Sequence, residues 1–199
     1  MDNHGYIENY LGTMASVIDD LPRQEISAAI DLLLEAWQNS ATVYIAGNGG
    51  SSSTASHFAC DLAKWTASAG KKRFRVMALT DNMPIYSALM NDEGPASVYA
   101  EQLAPFVSPG DVLILISVHG GSGEGNAGAW SQNLLRALGL ARERGARTIG
   151  LSGFDGGALK QMSDVCIVVP VDSTPQVESF HLAIEHLICD RLRERISEA

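Results

Sequence analysis

The chain has 199 residues, of which 46% are hydrophobic, so it is long enough to bury one sizeable core and fits a single domain over 1–199. Its formal charge of -9 argues against nucleic acid or an anionic membrane as partner. Three scattered cysteines, Cys60, Cys166 and Cys189, form neither a disulfide framework nor a zinc pair, which suits a reducing cytoplasm.

In chain order, two helices are predicted first, Ile7–Ile18 and Arg23–Gln38. A strand over Thr42–Ala46 leads through a glycine-rich turn into a helix over Ala55–Ala67. A strand at Phe74–Leu79 precedes helices at Pro84–Ala88 and Ala96–Leu103. Next come a strand at Val112–Ser117, a helix at Ser131–Arg144, a strand at Thr148–Leu151, a helix at Gly157–Met162 and a strand at Cys166–Val169. A last long helix runs from about Thr174 to Ile196. Most of these strands are unbroken runs of Val, Ile, Leu and Met, which mark strands covered on both faces of a parallel sheet. The alternation therefore predicts a doubly wound three-layer α/β fold, with ligands at the carboxyl ends of the strands. Cys60 and Cys166 stand in apolar contexts and are expected in the core. The polar start Met1-Asp2-Asn3-His4-Gly5 does not read as a leader, and no apolar run approaches membrane-spanning length.

Two loops on that edge suit an anion. The first, Gly47-Asn48-Gly49-Gly50-Ser51-Ser52-Ser53-Thr54, stands between a strand and a helix start. Free N–H groups, a partial positive charge and several hydroxyls meet there, and together they suit phosphate. A tight turn capped by serine is the plainer reading. The second loop, Ser117-Val118-His119-Gly120-Gly121-Ser122, has the same character. Ser152–Gly157 reads as a turn around Asp155-Gly156.

His57 and Asp61 are four residues apart and share one helix face, a workable half-site for a divalent metal. Glu178, His181 and His186 lie on the last helix, where Glu178 and His186 are the candidates to complete the site. Two solvated helix faces remain the alternative. Eight residues of straight helix rise about 12 Å, so Glu178 and His186 share one ion only if Glu178 precedes the regular helix or another subunit contributes.

Taken together, Gly47-Asn48-Gly49-Gly50-Ser51, His57-Phe58-Ala59 and Asp61-Leu62 resemble the first motif of sugar isomerase (SIS) domains, most of all the phosphoheptose isomerase branch. The likeness continues through Asn91-Asp92, Gly110–Ile114, Gly145–Gly153, Asp155-Gly156-Gly157, Asp164–Ile167, Thr174–Glu178 and His186. It implies a flavodoxin-like five-stranded parallel sheet with two extra N-terminal helices. It implies a cytoplasmic homotetramer with sites at subunit interfaces, a zinc ion, and conversion of sedoheptulose 7-phosphate to glycero-manno-heptose 7-phosphate. Carried over position by position, the metal ligands fall on His57, Asp61, Glu178 and His186. The phospho-sugar contacts fall on Asn48, Gly49, Gly50, Ser51, Asp61, Asp81, Asn82, Ser117, Val118, His119, Ser122 and Glu178. His181 also matches a family position and is expected to pack at an interface.

The chain departs from that pattern in four places. Asp61 stands where the family has glutamate, and Glu178 where it has glutamine. Val118 and His119 replace two hydroxyl residues, and about nine residues near Gly123–Ser131 are inserted, among them Glu124, Asn126 and Trp130. Aldose–ketose interconversion needs one group to move a proton between carbons and another between oxygens. Asp61 is the expected base and His186 the expected acid, with the roles open to exchange. An isomerase of another sugar phosphate, or a non-catalytic SIS binding protein, remains the alternative.

Overall fold

The structure is a computed structural model, and it describes residues 2–122 and 130–199. The elements are α1 (Asn3–Asp20), α2 (Arg23–Gln38), β1 (Thr42–Gly47), α3 (Gly50–Lys64), β2 (Arg75–Ala78), α4 (Met83–Asp92), α5 (Val98–Leu103), β3 (Val112–Ile116), α6 (Gln132–Glu143), β4 (Arg147–Gly153), α7 (Gly157–Met162), β5 (Val165–Val169) and α8 (Thr174–Glu198). All strand pairs are parallel, in the order β2-β1-β3-β4-β5. The order reverses at β1 and β3, so the crevice between their carboxyl ends is the expected ligand site.

Alternate strand residues feed two cores. Val43 and Ile45 of β1 and Ile114 and Ile116 of β3 pack with α2, α3 and α8. Tyr44, Ala46, Leu113 and Leu115 pack with α5 and α6 on the other face. Complete burial of a side chain such as Phe58 or Leu115 contributes about 1.5–3 kcal/mol. At the opposite edge of the sheet, the carboxylate of Asp111 accepts hydrogen bonds from the Thr42 and Ser108 amides, at 2.7 and 2.9 Å. Asp164 accepts from the amide and hydroxyl of Thr148 at 2.7 and 2.9 Å. Both family-motif aspartates are thus fasteners at the amino ends of the strands, away from the crevice.

Two expectations are corrected. The helix after the first loop starts at Gly50, five residues before Ala55, because Gly49 takes the positive φ (57°) and the serines form the first turn. Cys60 is exposed and Cys166 half-buried, while Cys189 is the buried cysteine, facing the core from α8. Most apolar residues of the two leading helices are satisfied within the chain. Val17, Ile30, Leu33, Leu34 and Trp37 are buried, whereas Tyr6, Ile7, Leu11 and Ile18 of α1 remain exposed. No helix among the described residues is long and apolar enough to cross a membrane.

His181 is fully buried in the chain's own core rather than on a surface left for an interface. Its Nε2 lies 3.1 Å from the Ser152 carbonyl of β4, and its Nδ1 has no partner. Burial lowers its pKa from 6.5 to about 4, with the Ser152 bond opposing the shift. The folded state therefore holds the ring neutral where the unfolded chain would protonate it. Stability from this residue is complete above pH 6.5 and declines by roughly 3 kcal/mol as pH falls towards 4, where it levels off. Urea unfolding across that window is expected to show the decline in the wild type. In His181→Gln the slope attributable to this ring should be gone, and an unchanged slope would reject the assignment.

Candidate active site

The first loop is fixed from below. Beyond Gly47 the chain turns so tightly that a Cβ there would collide with the backbone of Ser51, and Ser51 is itself buried. The Ser51 and Ser52 amides donate to the carbonyls of Asn48 and Gly49 at 3.1 and 3.0 Å, and the Ser52 hydroxyl donates to Gly49 at 2.7 Å. Asn48 pairs amide to amide with Asn133 of α6, at 3.0 and 2.8 Å. The buried Tyr99 hydroxyl of α5 donates to the Gly47 carbonyl, and desolvation pushes its pKa well up. Asn133 and Tyr99 lie 85 and 52 residues from their partners in this loop, so no local pattern points to them.

Asp81 and Asn82 follow β2. Asp81 accepts from the hydroxyls of Ser56 and Thr80, and Asn82 caps α4 by accepting from the Ile85 amide at 3.3 Å. Both therefore make local bonds beside the first turns of α3 and α4.

The second loop is locked to the β4–α7 turn. The Gly153 amide donates to Val118 at 2.8 Å, and the Leu159 and Ala158 amides donate to Gly120 and Gly121 at 2.9 and 3.1 Å. The Ser117 hydroxyl is 3.5 Å from that of Ser131. The Ser122 hydroxyl accepts from the Trp130 amide at 2.9 Å, closing the base of the insertion. Residues 123–129 of that insertion, including Glu124 and Asn126, lie outside the described residues. His119 packs its ring 4.2 Å from that of Phe154 and edge-on to Trp130 at 5.6 Å. Phe154 sits at φ 54°, in the left-handed region that disfavours a bulky side chain, and projects its ring to this cluster.

Helices α3 and α8 run side by side in the same direction. Glu178 of α8 touches Gly50 of α3, His186 meets His57, and the Trp65 indole donates to Asp190 at 3.3 Å. This pairing assembles His57, Asp61, Glu185 and His186, whose ligand atoms all lie within 4.8 Å of one another and can hold a metal ion. The two Nε2 atoms are 3.0 Å apart. Asp61 Oδ2 is 3.6 and 3.7 Å from the Nε2 atoms of His57 and His186, and Glu185 Oε1 is 3.5 and 3.4 Å from the same two. Both histidines are half-exposed and Asp61 partly so, but Glu185 is fully buried, with the Cys189 thiol beside it. Burial, and then the charge of Asp61, push its pKa up to about 8. Two imidazoles and two carboxylates, one of them buried, suit a divalent cation.

The sequence reading took Glu178 as the fourth metal ligand, by way of another subunit if the helix is regular, and within this chain Glu178 lies apart from the cluster. α8 is unbroken from Thr174, so Glu178 sits two turns away from the cluster, with its Cδ only 2.8 Å from where a Cβ on Gly50 would be. Glu178 thus borders the first loop. Glu185, which sequence reading missed, stands seven residues later on the same stripe and next to His186. That i, i+7 relation was the available signal.

A doubly wound sheet with two anion-suited loops at its switch point and a His/carboxylate cluster between the adjoining helices α3 and α8 defines a sugar-isomerase-type domain. The SIS domain family matches residues 5–153, and the chain belongs to this family. It is 42% identical over 187 residues to the lincomycin biosynthesis protein LmbN of Streptomyces lincolnensis, covering 92% of this chain and 67% of that protein. It is 35% identical to the phosphoheptose isomerase of Geotalea daltonii, over 96% of this chain and 93% of that one. Among solved structures, phosphoheptose isomerase from Francisella tularensis superposes with a TM-score of 0.86 at 26% identity, covering 98% of this chain and 100% of that one. GmhA from Neisseria gonorrhoeae gives 0.84 at 26% identity, with 96% and 98% covered.

Proposed function

We propose that this protein is a phospho-sugar aldose–ketose isomerase that converts sedoheptulose 7-phosphate to glycero-manno-heptose 7-phosphate with a bound divalent metal, zinc in first place. The observation that carries this reading is the cluster His57–Asp61–Glu185–His186, held between α8 and the helix that starts at the first anion-suited loop. From Gly50 to His57, α3 rises about 10 Å, a span suited to an extended phospho-sugar anchored at one end and reacting at the other. The likeness to phosphoheptose isomerases over nearly the whole chain supports the substrate class.

In this reading the amides and hydroxyls of Asn48–Ser51 and Ser117–Ser122 hold the phosphate and the sugar hydroxyls, with Asp81, Asn82 and Glu178 at the rim. The Asp61 carboxylate takes the proton from the hydroxyl-bearing carbon and returns it to the neighbouring carbon. The His186 imidazole, through Nδ1 when Nε2 faces a bound ion, supplies a proton to the carbonyl oxygen and accepts the one released by the adjacent hydroxyl. A divalent ion, when bound, would polarise that carbonyl. His57, Asp61, Glu185 and His186 are the residues placed to hold it. Phosphate binding remote from the reacting carbons orients them, so its binding energy contributes to rate.

A second reading, isomerisation of a different sugar phosphate, is favoured by one feature. His119, Phe154 and Trp130 put aromatic surface beside the second loop. The likeness to an antibiotic-biosynthesis protein points the same way. Turnover of five-, six- and seven-carbon ketose phosphates, with and without chelator, decides between the two. Preference for the seven-carbon substrate, lost on chelation, is the expected result. Turnover of none would overturn the enzymatic reading.

We also propose a homotetramer in which α1 is buried between subunits. Its exposed Tyr6, Ile7, Leu11 and Ile18 form more apolar surface than a free helix normally shows to water. Light scattering should give about four times the chain's 21.2 kDa at micromolar concentration, and a monomer mass would reject this.

A further inference from the structure

We infer that the basic cavity between the end of α3, the loop into β2 and the last turns of α8 is a binding site for a small ligand carrying two or more phosphate groups. This inference does not rest on the isomerase reading. Its first support is the uneven distribution of charge. The chain is acidic overall, at -9. Yet residues 62–80 hold five of its 14 cations, Lys64, Lys71, Lys72, Arg73 and Arg75, and none of its 23 Asp and Glu residues. Like charges gathered in this way repel one another until an anion offsets them.

The second support is that the fold turns this excess into a concavity. Lys64, Arg73 and Arg193 line a cavity of about 350 Å3 around the small residues of the 67–69 turn, and no acidic side chain lines it. The Lys71 amide donates to the Ser68 carbonyl at 3.2 Å, closing the turn that brings the chain back to Arg73. Among the described residues none of these three cations has an ion-pair partner, whereas Arg147, Arg191 and Arg195 each have one. Asp190 precedes Arg193 by three residues but faces the other way. It accepts the Trp65 indole N–H at 3.3 Å and lines the neighbouring cavity with Asp61 and His186.

The third support is that Arg193 is already in place. Its guanidinium lies over the Trp65 ring, 4.2 Å from the centroid, and the indole is itself anchored by Asp190. A guanidinium laid on an aromatic face keeps its edge N–H groups free, and that planar fork matches phosphate oxygens two at a time. The volume is that of a small-molecule site. One phosphate carries at most about two charges, fewer than the three cations here, so two linked phosphates suit the charge better. The site is also separate from the sugar-phosphate loops. From Gly50 to Lys64, α3 rises about 21 Å, which puts the two at opposite ends of one helix.

The test uses the intact chain and inorganic pyrophosphate as the probe. Calorimetric titrations are run at constant ionic strength, with chelator present so that a metal at the His/carboxylate cluster does not capture the probe. Arg73→Gln and Arg193→Gln are each expected to weaken binding at least about fivefold, and the double variant at least about twentyfold. Arg142→Gln removes the same charge from α6, on the opposite face of the sheet, and should stay within about twofold of wild type. Pyrophosphate should also shift the tryptophan emission of wild type, and Trp65→Phe, which keeps a ring under Arg193, should lose that shift. Circular dichroism checks folding. Should Arg193→Gln not fold, Lys64→Gln joins Arg73→Gln in the comparison, since both side chains are exposed. Equal losses in Arg142→Gln and the cavity variants would report overall charge and overturn the site. A wild type that binds no pyrophosphate also overturns it and leaves the face to an acidic protein partner. A lower light-scattering mass in the double variant would show that these cations pair with a second copy, and would overturn it as well.

Discussion

Asp61→Ala and His186→Ala are each expected to lose about 10²–10⁴-fold in kcat/KM on the preferred sugar phosphate, which is about 3–5 kcal/mol of transition-state stabilisation. Both side chains face the shared cluster, at 3.7 Å from each other. If they move the two protons of the reaction, their loss falls mainly on kcat and leaves substrate anchoring at the glycine loops largely intact. The fold is expected to survive both changes, because neither residue is buried in the core. Removing Asp61 also removes a charge that disfavours ionised Glu185. Circular dichroism and melting curves provide the control. Either variant retaining full activity while folded would reject the assignment of that residue.

The second large effect concerns the backbone that holds the second loop. Gly157→Ala is expected to destabilise the protein by about 3 kcal/mol, lowering the melting temperature by roughly 6–12 °C. Gly157 adopts φ 54°, a conformation that costs an L-residue about 1–2 kcal/mol. Its missing Cβ would also collide with the His119 carbonyl and lie 2.5 Å from that of Gly121. These obstacles are backbone atoms and cannot swing aside. Gly120 faces the same junction from the other side, at φ 69° and against the Gly156 carbonyl. The loop after β3 and the turn after β4 thus interlock, so distortion here moves Ser117, His119 and Ser122 together. A second readout is therefore expected, a raised KM. Gly139→Ala is the contrasting control. It lies within α6 with nothing near its Cβ position, and alanine there should stabilise by up to about 1 kcal/mol. A melting temperature for Gly157→Ala equal to wild type would show that the junction yields.

Much of the fold was legible because its signals are local. Runs such as Val112–Ile116 announce strands covered on both faces, and their alternation with helices fixes a parallel sheet. The order β2-β1-β3-β4-β5 then places the carboxyl ends of β1 and β3, with the two glycine-rich loops, at the switch point. His57 and Asp61 were legible for the same reason, since a spacing of four residues puts them on one helix face whatever surrounds them.

What the sequence by itself determined, then, is the layer architecture, the two anion-suited loops and three of the four residues of the His/carboxylate cluster. The tertiary structure decided the rest, because it depends on how separate elements meet. Which carboxylate of α8 joins His57 and Asp61 depends on the parallel packing of α3 against α8, which sets Glu185 beside them and Glu178 beside Gly50. The burial of His181 against Ser152 depends on the seat of α8 over β4. The clamping of Asn48 by Asn133 joins residues 85 apart. Periodicity gives each helix a face, but the register between two helices follows from side chains interlocking across a core assembled from the whole chain.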